Sequence, residues 1–170
     1  EIQAFAHQQL GLEDLQAWDI AYVSEKMKQA RFDFSEEDLK PYFPADRVIS
    51  GLLSLVEKLF GIRLAQQTEN GDLWHPDVRF YHVYDGNGRL QAMFYLDLYA
   101  RQHKRGGAWM SDFCGRFKRV NGLQIPVAFM TCNSSAPVGD QPALFTHDEV
   151  VTLFHEFGHG LHHMLTQVDY

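Results

Sequence analysis

His155 and His159 stand four residues apart with Glu156 directly after the first, in the order H-E-x-x-H. On a helix this spacing puts both imidazoles on one face, one turn apart, where one nitrogen of each ring reaches a single Zn²⁺. Glu156 projects to the side of the pair, where an attacking water would stand, and its carboxylate is suited to take that water's proton. With 9 His in 170 residues, chance placement yields about 0.02 such pentapeptides, so the pattern calls for a cause. The bland alternative is a buried helix whose histidines are only satisfied polar groups.

A helix is what must position these side chains, and the flanking sequence predicts one over Thr146 to Met164. Thr146 and Glu149 have capping-box spacing, and Asp148 and Glu149 suit the positive end of the helix dipole. Val150, Val151, Leu153, Phe154, Phe157, Leu161, Met164 and Leu165 supply a long apolar surface. Gly158 and Gly160 each cost a helix interior about 1 kcal/mol relative to Ala, which implies close approach of another segment. The expected neighbour is the next helix of a longer parent chain.

The rest of the chain sets the frame. Its 170 residues are 45% apolar, enough for one domain with a core, and the net charge of −7 comes with no basic run to track a phosphate backbone. Nucleic acid is therefore excluded as a partner. No stretch has the length of a membrane span or the order of a signal peptide, so a soluble, cytoplasmic protein without a membrane partner is expected. Cys114 and Cys132 lack CxxC spacing and read as free thiols in a reducing compartment. The chain opens at Glu1 without Met and stops at Tyr170, which suggests a piece of something longer.

Residues 1 to 61 read as helical. Ile2, Phe5 and Leu10 mark a first segment, Gly11 a break, and Trp18, Tyr22, Val23, Met27 and Ala30 a second. Ser35 with Glu36, Glu37 and Asp38 caps a short turn ended by Pro41 and Pro44. Pro44 to Phe60 predicts a helix burying Val48, Leu52, Leu55, Val56 and Leu59, with Gly61 as its stop. Residues 62 to 133 read as hairpin and sheet: a strand at Ile62 to Gln66, a turn at Glu69 to Asp72, and a hairpin of Arg79 to Tyr84 with Arg89 to Tyr99 about Asp85-Gly86-Asn87-Gly88. Arg101 to Arg119 shows no period and reads as a long basic loop or several short pieces, either functional or merely solvated. Ile125 to Cys132 is a strand, taken as an edge for an extended substrate.

The segment Phe154 to Leu165 (F-H-E-F-G-H-G-L-H-H-M-L) resembles the thimet oligopeptidase and oligopeptidase A family of zinc metallopeptidases. The likeness extends through Trp18 to Tyr22, Gly51 to Ile62, Trp74 to Val78, Asp97 to Arg101 with Lys104 to Ala108, and Thr146 to Val150, so it spans nearly the whole chain. Where the family commonly carries Asn-Phe, this chain has Asn133-Ser134.

The resemblance implies a mainly α fold with a small antiparallel or mixed β-sheet (α+β), as part of a zincin-like catalytic core. Residues 1–170 would be a single partial domain, central in a larger catalytic domain, with the zinc-motif helix at 146–166. It also implies one Zn²⁺ on His155 and His159, Glu156 as the catalytic base, short peptides as substrates, and a third ligand, a Glu, beyond Tyr170 in the remainder of the parent chain. His162 is a poor substitute for that ligand, because seven residues put its backbone about 10 Å along the axis from that of His155, and it is expected with His163 to serve helix packing or to support the metal ligands from outside. Leu165 occupies the place where another zinc class carries its third His. The chain alone is expected to be inactive. A rival from another class is a non-catalytic helical and β-hairpin interaction module with a fortuitous H-E-x-x-H, and a third is a metal-dependent hydrolase of non-peptide amides.

Overall fold

The structure, a computed structural model, describes residues 1–33, 35–68 and 73–169, so the turn expected at Glu69 to Asp72 lies outside the described residues. The chain divides into two compact units, Glu1–Tyr42 and Phe43–Tyr170.

In the first unit α1 (Ile2–Leu10) ends at Gly11, which takes a left-handed conformation with φ 67°, and α2 (Asp19–Phe32) follows. Trp18 precedes α2 as its N-cap and is 78% exposed, and Tyr22 is exposed too, so the buried side of α2 runs through Val23 instead. Ser35 and Asp38 form a reciprocal capping box at the start of the short α3 (Glu36–Leu39).

The second unit is built on alternation. In β3 (Leu90–Tyr99), Ala92, Phe94, Leu96 and Leu98 are buried, the face expected from the sequence. β3 pairs antiparallel with β2 (Arg79–Tyr84), which pairs antiparallel with β1 (Arg63–Gln67). The β2–β3 turn is held by Asp85 Oδ1, which accepts from the Asn87 and Arg89 amides at 2.8 and 2.9 Å, while Gly88 supplies φ 78°. On its other side β3 pairs parallel with β7 (Val127–Ser134), and β7 pairs antiparallel with β4 (Trp109–Cys114). The sheet is therefore mixed, ordered β1-β2-β3-β7-β4, and β5 (Phe117–Arg119) and β6 (Gly122–Gln124) form a separate ribbon.

Of the two readings of Arg101 to Arg119, several short pieces is the one the structure has: the stretch contains β4 and β5, and a register shift at Asp112/Cys114 and Gly115 between the strands break their period. The strand at Ile125 to Cys132 is not an edge, because β7 lies between β3 and β4 and the edge belongs to β4.

Helix α4 (Ala45–Phe60) ends at Gly61 as expected, with φ 64°. Its buried side is Ala45, Ile49, Leu52 and Val56, while Leu55 and Leu59 are exposed. The buried stripe thus starts at Ala45, a residue too small to stand out by hydrophobicity. Helix α5 (His147–Met164) packs on the sheet: the Phe157 ring meets Phe94 edge to face at 5.4 Å, and Leu153, Phe157, Leu161 and Met164 are buried. The starts of α4 and α5 are tied by backbone bonds, Ala45 to the Ala143 carbonyl and Phe145 to the Phe43 carbonyl, each 2.9 Å.

Gly160 serves this packing. A Cβ there would stand 2.9 Å from the Met130 sulfur of β7, so this glycine answers the chain's own core and not a neighbouring helix. At Gly158 a Cβ would meet nothing within 4 Å. No helix of the described residues is long and apolar enough to cross a membrane.

Candidate metal centre and cleft

α5 is fixed at its start before it presents any chemistry. Thr146 Oγ1 accepts from the Glu149 amide at 3.1 Å, and Glu149 Oε2 accepts from the Thr146 amide at 2.8 Å, the capping box read in the sequence. Two turns on, with Phe157 turned into the core, His155 and His159 lie on the exposed side. Their Nε2 atoms are 3.1 Å apart, with the rings nearly perpendicular at 83°.

That separation suits a shared cation. Two Zn–N bonds of about 2.0–2.1 Å at a tetrahedral angle put their nitrogens about 3.3 Å apart. Without a metal the same distance is a hydrogen bond in which one Nε2 donates and the other accepts, and a cation would replace that proton. No group of three or more His, Cys, Asp or Glu side chains is arranged to hold a metal among the described residues. The pair therefore offers two ligands, and His162 is not a third.

Glu156, His159, His162, His163 and Thr166 form one wall of a cleft of about 650 Å³, and Ala108, Trp109 and Met110 at the start of β4 form the other. A smaller hollow of about 330 Å³ shares Ala108 with the cleft and is lined on α5 by Asp148, Glu149 and Thr152. His163 of the cleft wall has its Nε2 3.0 Å from the Cys114 carbonyl at the far end of β4; an Nε2–H donating there fastens the helix to the edge strand. Sequence spacing leaves His163 as a packing residue or a support for the metal ligands, since a bond across 49 residues leaves no local signal.

Neither cysteine lines the larger cleft, although Cys132 lines the smaller hollow. Cys132 is buried, which pushes its thiol up to about 11, and Cys114 donates to the Ile125 carbonyl at 3.5 Å; both are free.

A buried polar cluster lies near the end of β3. Asp97 of β3 accepts two hydrogen bonds from Arg101, at 2.6 and 2.7 Å, one from Lys104 at 2.9 Å and one from Trp74 Nε1 at 3.2 Å. Burial raises the Asp97 carboxyl, but these donors outweigh it and bring the pKa down to about 2. Asn133 Nδ2 donates to the carbonyls of Arg105 and Gly107 at 2.8 and 2.6 Å, holding the segment that leads into β4.

A sequence model of peptidase family M3 matches residues 1–170. The chain belongs to peptidase family M3. Among its M3 relatives, oligopeptidase A of Salmonella typhimurium is 55% identical over 170 residues, covering 99% of this chain and 25% of that protein. Organellar oligopeptidase A of Arabidopsis thaliana is 43% identical over 176 residues, covering 99% and 22%, and the dipeptidyl carboxypeptidase of Escherichia coli is 39% identical over 170, covering 99% and 24%. The chain spans about a quarter of the length of the curated relatives it matches. This M3 membership agrees with the resemblance read from Phe154 to Leu165, and the mixed sheet with five helices agrees with an α+β fold.

Proposed function

We propose that this chain is the metal-bearing part of a zinc oligopeptidase that hydrolyses short peptides, central in a larger catalytic domain. The observation that carries the proposal is the pair of Nε2 atoms 3.1 Å apart, with Glu156 beside His159 on the cleft wall. His155 and His159 hold the ion through Nε2, and the third ligand comes from outside these 170 residues. Open space around Gly158 leaves room for that segment beside His159. A bound Zn²⁺ supplies Lewis acidity to the scissile carbonyl and brings the pKa of water towards about 7.

The chain's own residues do the rest. The Glu156 carboxylate accepts a proton from the attacking water and hands it to the leaving amine. The peptide lies extended along β4, an edge strand with a strand neighbour on one side only. The name oligopeptidase A on relatives 55% identical to this chain supports short peptides over other amides.

The test is cleavage of a quenched fluorescent peptide. A polypeptide of the relatives' full length carrying this sequence is expected to cleave it, to stop when a chelator is added, and to recover with Zn²⁺; the 170-residue chain alone is expected to be inactive. Chelator-insensitive cleavage by the long form, or chelator-sensitive cleavage by the short form, would contradict the proposal.

A further inference from the structure

Lys104 is a charged residue that the proposed chemistry does not use, yet its side chain is only 5% exposed, beside Asp97 at 7%. Its ammonium has four acceptors: Asp97 Oδ1 at 2.9 Å and the backbone carbonyls of Asp97 at 3.1 Å, Tyr99 at 2.8 Å and Cys132 at 2.5 Å. Those carbonyls belong to β3 and β7 near the ends of two parallel strands, at the point where the chain leaves β3 and turns towards β4.

Charge balance does not require this lysine. Arg101 already meets both Asp97 oxygens, and Trp74 donates to one of them. Lys104 reaches carbonyls of both β3 and β7, and so braces the ends of the two strands beside the Ala100 to Ser134 backbone bond, while Asn133 holds Arg105 and Gly107 further along the turn. The backbone is bent to bring Lys104 there: His103 adopts a left-handed φ of 66°, and the Lys104 amide donates to the Arg101 carbonyl at 3.1 Å. Four residues later Ala108 enters the cleft wall, followed by Trp109 and Met110.

We propose that Lys104 is a positioning residue that sets the edge strand β4 against the H-E-x-x-H helix, and so fixes the surface on which an extended peptide is held. The substrate part of this inference rests on the reading of the cleft as a peptidase site; the positioning of β4 does not. Lys104→Met is expected to speed hydrogen exchange of the Trp109 to Asp112 amides that pair with β7 by at least tenfold, with less than threefold change in the β2–β3 ladder. In the full-length polypeptide it is expected to raise KM at least tenfold, with kcat within threefold and bound zinc unchanged.

The double variant D97N/K104M removes both charges and separates positioning from charge balance. It is expected to melt at a higher temperature than D97N alone, which leaves the Lys104 ammonium without Asp97, while β4 exchange and KM stay raised. Return of both to within twofold of wild type would reduce Lys104 to a counter-ion and overturn the proposal, as would equally faster exchange in every strand. If the unaltered polypeptide cleaves no peptide, the functional reading fails, and the exchange pattern still decides whether Lys104 positions β4.

Discussion

Glu156→Gln in a polypeptide of the relatives' full length is expected to lower kcat by about 10²–10⁴, the range a general base supplies, with KM and bound zinc near their starting values. Gln keeps the size of the side chain and removes the carboxylate that takes the proton. Glu156 is half-buried in the cleft wall and makes no ion pair among the described residues, so the exchange leaves the packing of α5 in place. The measurement is steady-state cleavage of a fluorescent peptide beside metal analysis of the same sample. Less than a tenfold loss with zinc retained would remove Glu156 from the role of base. Loss of zinc together with activity would instead make it part of the metal shell.

The second large effect is on stability. Asp97→Asn removes the carboxylate that faces Lys104 and Arg101, leaving an ammonium 5% exposed without its counter-charge. Breaking one side of such a buried pair costs about 3–5 kcal/mol. The pH dependence has a definite sign. The Asp97 pKa is lowered from 3.8 to about 2 in the folded chain, so its ionisation contributes stability that is full above the unfolded value and is lost as pH falls towards the folded one. The contribution is about 2 kcal/mol, at about 1.4 kcal/mol per pKa unit. Urea unfolding of the 170-residue chain at pH 7 and pH 2.5 is expected to show the gap between wild type and D97N narrowing at the lower pH. An equal gap at both would show that the ionised carboxylate is not what the cluster depends on.

Features legible in the sequence were those with local causes. The Thr146–Glu149 box, the Asp85–Gly88 turn, the Gly11 and Gly61 helix ends, and the His155–His159 face each depend on residues within a few positions of one another. The strand order was not legible, because the parallel pairing of β3 with β7 joins segments more than thirty residues apart. That pairing makes β7 internal and gives the edge to β4, which a register shift and a following glycine hide from period-2 alternation. The buried side of α4 was misjudged because Ala45 carries little hydrophobic weight while Leu55 and Leu59 carry much and remain exposed. Lys104 looked like part of a basic surface; only the carbonyls gathered around its ammonium show that it belongs to the interior.

The central claim is that His155 and His159 bind one metal ion together through Nε2. Adding Zn²⁺ to the 170-residue chain while recording the ring ¹⁵N resonances of its 9 histidines tests it directly. The account predicts that the Nε2 signals of His155 and His159 move together at the lowest zinc concentrations, and that His162, at i+7 from His155, does not follow them. Equal response of all the histidines, or shifts at His162 and His163 with His155 unmoved, would contradict it.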